Sequence, residues 1–299
     1  MNLRPAFAPL HRSTIAHLNY HSAMVTPEPS SEASSSDIQA VARVGQICAL
    51  FGPHTTELTA ADVADRLGLN RTTAYRYCAS LVAAGILERG PRRGSFVLGG
   101  LMLQLGIHAL GRRRVVEIAP PYLAELGAAV TMTAVLSLWG ARGPVATLVE
   151  EERSRSIVVT VRPGSQLDIW AAQTHVFLAH HADHQAIDRM TEGATPAERA
   201  AVEASVYTAR RNGYSIAHHD GGVFGAAVPV FDEYGIAATI ALLGADPAVD
   251  ISPGSPTLTR LLGTAAALSA ELGGGREGQY SADRQSAAAN NPEPDNPDV

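Results

Sequence analysis

A series of helix start and stop signals between residues 59 and 85 limits the possible folds of this chain more than any other feature does. Thr59-x-x-Asp62 has the form of a capping box, and Gly68 is a common helix terminator. Asn70 can cap the next helix, which Gly85 closes. The apolar residues of that helix recur at helical spacing, and they are Ala74, Tyr77, Cys78 and Leu81. Two short helices joined by a tight turn are therefore predicted.

A further helix is predicted upstream. Ser36-x-x-Gln39 again has the capping-box form, and Gly52-Pro53 supplies a stop. The face expected to turn inward carries Val41, Val44, Cys48 and Phe51. Cys48 and Cys78 are the only cysteines and lack metal-type spacing, so we expect both to fill the core as small hydrophobic side chains.

Two strand-like pieces follow the helices. Ile86–Arg89 and Ser95–Leu98 flank Gly90–Gly94, which predicts a hairpin whose tip carries Arg92 and Arg93. Three short helices followed by a hairpin with a basic tip form a winged helix-turn-helix, which we place at residues 37–100.

The exposed face of the third helix carries side chains suited to DNA. With the apolar stripe turned inward, Arg71, Thr72 and Arg76 lie on the opposite side of its N-terminal half, where a recognition helix enters the major groove. Arginine can bind guanine or phosphate through two N–H groups, and threonine can contact a thymine methyl. Taken singly, each residue also fits an ordinary solvated helix face. The candidate DNA-binding residues are Thr59, Arg71, Thr72, Thr73, Tyr75, Arg76, Arg92 and Arg93.

The charge distribution agrees with this interpretation. Residues 37–114 carry ten arginines against five acidic residues, whereas residues 115–299 carry eleven against twenty-two. Phosphate contacts need clustered cations, and an acidic surface repels DNA. Double-stranded DNA is therefore expected to meet the first segment only.

The rest of the chain is divided by its composition. Leu101–Gly111 is apolar and compatible with a helix that leads into three arginines, so residues 101–114 are predicted to be a linker helix with a possible dimer-forming side. Residues 1–36 and 273–299 are rich in serine, proline, glycine or asparagine and are predicted to be disordered tails, with Met24 an alternative start.

Residues 115–272 alternate between helix and strand patterns. The predicted helices are Ile118–Ala129 after a Pro-Pro interruption, Gln173–His181, Pro196–Asn212 and Pro256–Leu272. The predicted strands are Thr133–Trp139, Val145–Glu150, Ser156–Val161, Ala226–Phe231 and Ile236–Leu243, the last two joined as a hairpin through Asp232–Gly235. This mixture predicts an α+β domain with an antiparallel sheet.

Signals for membrane insertion, secretion and enzymatic catalysis are weak or missing in the sequence. No apolar run is long enough for a transmembrane helix, and charged residues and prolines break the N-terminus, so a cytoplasmic protein is expected. There is no nucleophile elbow, P-loop or dinucleotide fingerprint, and Gly221-Gly222-x-x-Gly225 is better explained by a turn. We predict no catalytic residues and no cofactor.

Two segments together resemble a known family. Leu58–Arg76 resembles the helix-turn-helix segment of IclR-type transcriptional regulators, and Phe96–Gly99 looks like the wing of that family. Arg211–Ser215 and Ala226–Asp232 provide a second match downstream, so the resemblance runs from about residue 38 to 272. It implies a GAF-like effector-binding domain, a homodimer or dimer of dimers, and operator binding controlled by a small molecule, with nearby metabolic genes as targets.

The chain departs from the family pattern where an effector is expected to bind. Trp170–Val176 replaces a His-Ala-Thr segment that leads to a Gly-Lys pair, and Ala241 and Leu243 replace hydroxyl-bearing residues of the members that bind small acids. The acidic residue that those members place close to the position of His218 or His219 is altered as well. The resemblance then implies an aromatic or medium-sized apolar effector with one polar head. The candidate effector-binding residues are Trp170, Gln173, Thr174, His175, His219, Phe224, Ala241 and Leu243.

Three alternatives stay open. Trp170 can merely fill the core and His175 can be a satisfied surface residue, in which case the pocket lies elsewhere. The regulator can also be constitutive, with a pocket filled by side chains. His175, His180 and His184, with His218-His219-Asp220 nearby, can instead form a metal-responsive site, since His180 and His184 share a helix face. An HExxH motif is absent from the sequence, and a histidine-rich surface turn explains the same residues, so we predict no metal.

Overall fold

The structure is a computed structural model that describes residues 14–17, 38–152, 157–183, 185–219, 222–245 and 249–274. The chain divides into two compact units, and the division falls between Glu117 and Ile118. The N-terminal unit holds the described residues up to Glu117 except β1 (Thr14–His17), which belongs to the C-terminal unit with most of the remainder.

Three short helices form the N-terminal unit: α1 (Gln39–Cys48), α2 (Ala60–Leu67) and α3 (Arg71–Ala83). The predicted capping box of α2 is confirmed, because Thr59 and Asp62 exchange hydrogen bonds between side chain and backbone. Gly68 ends α2 with a φ of 62°, a left-handed conformation that glycine adopts without strain. Asn70 caps α3 by accepting a hydrogen bond from the Thr73 amide at 2.7 Å.

The first helix differs from its prediction. It begins at Gln39 after Ile38, without a side-chain cap, and Ser36 lies outside the described residues. Val41, expected to face inward, is 67% exposed, and Ile47 is the fully buried residue instead. The buried face of α1 is therefore rotated from Val41 toward Ile47. The neighbouring helices decide which face of α1 is buried, so the apolar residues of α1 alone do not predict it.

The predicted wing is confirmed. Strands β2 (Leu58–Thr59), β3 (Leu87–Arg89) and β4 (Ser95–Leu98) form an antiparallel sheet in the order β2-β4-β3. The sheet and helices enclose one core, whose buried members are Ile47, Leu58, Val63, Ala64, Ala74, Cys78, Leu81, Leu87 and Phe96. The wing is thus fixed to the helices by shared apolar packing.

Helix α4 (Gly100–Gly111) lies in the segment predicted to be a linker helix. Its first amide, at Gly100, donates to the Glu88 carboxylate at 2.8 Å, so a wing strand caps this helix. A side chain at Gly99 would overlap the carbonyl oxygen of Gly85, so the close approach of the two segments requires glycine there. No residue of α4 is buried.

Helix α5 (Arg114–Val130) runs through Pro120 and Pro121, where the sequence predicts an interruption. Two prolines near the start of a helix remove only the bonds to the carbonyls of Val116 and Glu117. Glu117 and both prolines are exposed, so water can reach these carbonyls and the helix continues.

The C-terminal unit is built on a five-stranded antiparallel sheet in the order β6-β5-β10-β9-β8. Its strands are β5 (Thr133–Gly140), β6 (Gly143–Glu150), β8 (Ser215–His218), β9 (Phe224–Asp232) and β10 (Gly235–Gly244). The helices that complete this unit are α6 (Ala172–His180), α7 (Ala186–Met190), α8 (Pro196–Asn212) and α9 (Pro256–Glu271). The predicted α+β class is confirmed, as is the hairpin between β9 and β10.

Helix α6 covers one face of the sheet. Ala172, Val176 and Ala179 of α6 share a buried cluster with Ala227 and Ala241 of the strands. Side chains alternate between the faces of a strand, so Val135, Ser137 and Thr239 belong to the same face. We call this side of the sheet the α6 face.

Several short elements escape sequence reasoning. Strand β8 and helix α7 were not predicted, and Thr14–His17, within the predicted N-terminal tail, pairs in parallel with β7 (Ile157–Thr160). Short elements carry too few residues to show a period. Within the described part of the chain, no helix is both long and apolar enough to cross a membrane.

Candidate DNA-binding surface and effector site

The predicted reading face of α3 is exposed. Arg71, Thr72 and Arg76 are all exposed, and Tyr75 is 48% exposed. Thr73 is half-buried, and its amide is used in the cap of α3. The face thus presents two guanidinium groups, a hydroxyl and a phenol toward solvent.

Arg89 joins this face, although sequence reasoning missed it. Its guanidinium lies 4.8 Å from the centre of the Phe96 ring and 5.6 Å from that of Tyr75, and it donates a hydrogen bond to the Tyr75 hydroxyl at 3.3 Å. Tyr75 and Phe96 meet edge to face. A cation stacked on aromatic rings is held in one orientation, so Arg89 connects β3 to the recognition helix.

The wing tip is fixed by an acidic residue. Arg92 donates its Nε–H to Glu57 at 2.7 Å, and its backbone amide donates to the same carboxylate. Side-chain hydrogen bonding with Ser95, followed by the contacts with Arg92, lowers the pKa of Glu57. Arg93 is exposed. Of the two predicted phosphate contacts, Arg92 is therefore partly neutralised by Glu57.

The Thr59 side chain caps helix α2. Its hydroxyl donates to the Asp62 carboxylate at 2.8 Å, and the same oxygen accepts from the Asp62 amide at 3.2 Å. The Thr59 backbone bonds also lower the pKa of Asp62. Any contact of Thr59 with DNA would have to be made alongside this capping box.

In the C-terminal unit, Gln173 and Thr174 bond to the protein itself. The Gln173 side-chain amide donates to the carbonyl oxygen of Val135 at 3.3 Å and to the Thr239 hydroxyl at 3.1 Å. The Thr174 hydroxyl donates to the carbonyl oxygen of Asp168 at 2.6 Å. Both side chains are buried and hold α6 to the sheet and to the preceding loop.

His175 is also buried and satisfied, not a surface residue. Its Nε2 lies 2.9 Å from the carbonyl oxygen of Ile169, which can only accept, so Nε2 carries the proton. Its Nδ1 lies 3.1 Å from the Ser215 hydroxyl. Burial lowers the pKa of His175, so the neutral imidazole is favoured, with Nδ1 accepting from Ser215.

Trp170 and His219 lie near the start of α6. Trp170 is partly exposed, and its amide donates to the Asp168 carboxylate at 2.9 Å. Burial raises the pKa of Asp168, and the charge of the half-buried His219 partly offsets this. Asp168 of the loop before α6 and His219, which follows β8, thus place an acidic and a basic group near the start of α6.

The structure separates Phe224 from the other candidates. Ala241 and Leu243 are buried on the α6 face, where Leu243 packs beside Gly225. Phe224 precedes Gly225 and therefore points to the opposite face, where its ring lies against Gly244. Placing Phe224 in the same site as Ala241 is wrong, because both faces of β9 are apolar and the sequence does not show which one meets α6.

The histidines do not assemble into one group. His180 packs edge to face on Phe231 with ring centres 5.2 Å apart, and its buried Nε2 has no hydrogen-bond partner among the described residues. Burial and the nearby Arg210 lower the pKa of His180 to about 4. His184 and Asp220 lie outside the described residues. Within the described ranges, no group of three or more metal-ligating side chains is arranged to hold a metal ion.

A winged helix-turn-helix followed by a separate α+β unit defines a two-domain, DNA-binding transcription regulator. Residues 40–91 match the IclR helix-turn-helix domain. The N-terminal unit of the chain therefore carries an IclR-type helix-turn-helix domain. The protein is a regulator that binds DNA through its helix-turn-helix.

Three similar proteins illustrate the relationship. The HTH-type transcriptional regulator XynR of Escherichia coli K12 is 26% identical over 205 residues, which cover 65% of this chain and 81% of XynR. The glycerol operon regulatory protein of Streptomyces griseus is 26% identical over 266 residues, or 80% of this chain and 98% of that protein. An IclR homologue from Microbacterium hydrocarbonoxydans, solved in complex with 4-hydroxybenzoate, shares the fold with a TM-score of 0.62 at 21% identity, over 78% of this chain and 98% of that one.

Proposed function

We propose that this regulator binds a palindromic operator as a homodimer, or as a dimer of dimers, and represses nearby metabolic genes in the cytoplasm until a small molecule binds its C-terminal unit. The effector-binding part of this proposal is supported by the homologue from Microbacterium hydrocarbonoxydans, which has the same fold and was solved in complex with 4-hydroxybenzoate. The acidic character of the C-terminal half leaves DNA binding to the N-terminal unit.

Helix α4 supports the dimer. Leu103, Ile107 and Leu110 form one apolar stripe, and Leu101 and Leu105 lie on the other side of the same helix. All five are exposed. A helix that is apolar all round is stable only when it is covered, so the proposed cover is the same helix of a second chain. Two reading heads would also supply the specificity that one recognition helix lacks.

The proposed effector site lies on the α6 face, beside the first half of α6. Ala241 and Leu243 supply an apolar wall there, and Trp170 supplies an exposed aromatic surface near the start of the helix. Gln173 and His175, bonded inside the protein, shape this site and are not free for a ligand as they stand. We keep Trp170 as the side chain expected to contact an aromatic effector.

A constitutive regulator with a closed pocket is the second candidate. It is favoured by the internal hydrogen bonds of Gln173, Thr174 and His175, which leave these three side chains fully used by the fold. A regulator of this kind would bind its operator equally well with and without any metabolite.

Operator binding in the presence of metabolites distinguishes the two candidates. Fluorescence anisotropy with the upstream region of the neighbouring genes is expected to show salt-sensitive binding that a metabolite of those genes releases. Trp170→Ala is expected to weaken the effect of the metabolite without unfolding the protein, whereas His175→Ala removes a buried partner of Ser215 and is expected to lower the melting temperature as well. Operator affinity that no such metabolite changes would favour the constitutive candidate.

A further inference from the structure

Two hydroxyls on strand β5 belong to the same face as the proposed effector site. Ser137 pairs with Thr239 across β5 and β10, and Thr133 pairs with Leu243. Thr239 accepts a hydrogen bond from Gln173 of α6, which identifies this face as the α6 face. Thr133 and Ser137 are four residues apart on one strand, so both side chains leave it on that side.

Both hydroxyls are buried without a hydrogen-bond partner. Thr133 is 2% exposed and Ser137 is fully buried, and within the described residues neither oxygen has a bonding partner. Most buried hydroxyls of the C-terminal unit do have one, as Thr174 and Ser269 show. A buried polar group without a partner is unfavourable and calls for a ligand or a water molecule to complete it.

We propose that Thr133 and Ser137 are the hydrogen-bonding positions that hold the effector of this regulator. The inference rests on the proposed effector site and specifies its chemistry. The two hydroxyls lie on β5, the strand next to residues Ala241 and Leu243 of that site on β10. One of them, Thr133, stands directly opposite Leu243.

The side chains around Thr133 and Ser137 favour an uncharged ligand over a charged one. No arginine or acidic residue is among the fully buried side chains of the described residues, the sequence contains no lysine, and the charged groups of the proposed site, Asp168 and His219, lie near the start of α6. His175 is held neutral by burial and uses its N–H for Ile169. A carboxylate placed here would lose its water without gaining a cation, whereas an alcohol, phenol or amide would complete the two hydroxyls.

The spacing of the hydroxyls selects the length of the ligand. Four residues of strand separate their Cα atoms by about 13 Å, and a hydrogen bond of about 2.8 Å at each end leaves roughly 7 to 8 Å between the polar atoms of the ligand. A benzene ring with a hydroxyl and an amide at opposite (para) positions is about 1 Å shorter than this, a difference that bent hydrogen bonds accommodate. Val135 and Ala241 lie between the two hydroxyls on this face and are covered by α6, so such a ring takes the place of the Gln173 side chain and of α6 contacts with them.

Calorimetry with two probes tests this inference on the full chain. The probes are 4-hydroxybenzamide and 4-hydroxybenzoate, which differ in the neutral amide or charged carboxylate at one end. The wild-type protein is expected to bind the amide at least tenfold more tightly than the carboxylate. Thr133→Val and Ser137→Ala, which remove only the hydroxyls, are each expected to weaken amide binding about tenfold or more, and Thr133→Ser is expected to restore it.

Stability measurements on the same variants give a second readout, independent of ligand. Ser269→Ala is the matched control, because Ser269 is a buried serine whose hydroxyl is satisfied by Phe231 and Ala265 outside the proposed site. It is expected to lower the melting temperature and leave amide binding unchanged. Thr133→Val and Ser137→Ala are expected to leave the melting temperature of the free protein unchanged or to raise it, since they remove unsatisfied groups.

Several results would overturn the inference without touching the proposed function. These are a failure of the amide to bind, tighter binding of the carboxylate, or equal amide affinity in the wild type, Thr133→Val and Ser137→Ala. A marked drop in melting temperature in both hydroxyl variants would show that the fold itself satisfies these groups. Operator release by a metabolite of the neighbouring genes, measured on the wild type, would decide the proposed function in every one of these cases.

Discussion

Arg89 stacks beside Tyr75 and donates a hydrogen bond to its hydroxyl, which ties the wing strand to the recognition helix at the edge of the exposed reading face. This relationship changes the expected role of Tyr75. A phenol that accepts from a guanidinium and packs against Phe96 is a support for Arg89 as well as a candidate base contact. Arg89 is thereby held in a fixed orientation beside α3.

The replacement Arg89→Ala is therefore expected to weaken operator binding about tenfold, as the loss of one held cation at a DNA surface should do. Tyr75→Phe keeps the ring and removes the acceptor, so about a threefold loss is expected. Fluorescence anisotropy at two salt concentrations measures both. Operator affinity that is the same in Arg89→Ala and the wild type would contradict this role for Arg89.

The two arginines of the wing tip are expected to behave differently. Arg93→Ala should reduce the slope of log affinity against log salt by about 0.9, the value for one phosphate contact on duplex DNA. Arg92→Ala should cost more affinity, because it also leaves the Glu57 carboxylate unpaired at the tip.

The pair Arg92 and Glu57 can be separated by a double-mutant cycle. Adding Glu57→Gln to Arg92→Ala is expected to recover part of the lost affinity, since the uncompensated negative charge is gone. Equal losses in Arg92→Ala with and without Glu57→Gln would show that Glu57 does not influence DNA binding.

Local signals in the sequence predicted the N-terminal unit well. The caps at Thr59 and Asn70 and the stop at Gly68 depend on neighbouring residues only, and each lies where the sequence placed it. The proximity of Tyr75 and Arg89 was not predictable in the same way. It depends on how β3 packs against α3, which no local pattern records.

The C-terminal unit was predicted less completely than the N-terminal unit. Its strands were predicted approximately, but the orientation of their faces was not, because β9 is buried on both sides and lacks an apolar-polar alternation. For this reason the sequence does not show that Phe224 points away from Ala241. Thr133 and Ser137 went unnoticed as candidates, since a hydroxyl within an apolar strand gives no sign in the sequence that it lacks a partner.

The exposed stripe of α4 predicts a change of oligomeric state. Ile107→Glu places a charge in the middle of the proposed dimer surface and is expected to shift the protein from dimer to monomer at micromolar concentration. Sedimentation velocity measures this shift. Tyr207→Glu, at a similarly exposed position of α8, is the matched control and is expected to leave the mass unchanged. A wild-type protein that is monomeric throughout would contradict the dimer proposal.

His180 predicts a loss of stability in acid. Burial and the nearby Arg210 lower the pKa of His180 from 6.5 to about 4, so the unfolded chain takes up a proton at a higher pH than the folded chain does. The contribution of the neutral His180 imidazole to the free energy of unfolding is fully present above pH 6.5 and is lost as the pH falls toward 4. The free energy of unfolding decreases by up to about 1.4 kcal/mol per pH unit in this window. His175, whose pKa burial also lowers, adds to the same trend.

Urea unfolding between pH 7 and pH 4.5 measures this dependence. His180→Leu keeps an apolar contact with Phe231 and removes the titrating group, so its free energy of unfolding is expected to fall less steeply with acid than that of the wild type. His175→Leu is less suitable for the comparison, because it also breaks the bond to Ser215. If the wild type and His180→Leu lose stability at the same rate across this window, His180 binds its proton equally well in the folded protein, and its burial does not control the acid sensitivity of the C-terminal unit.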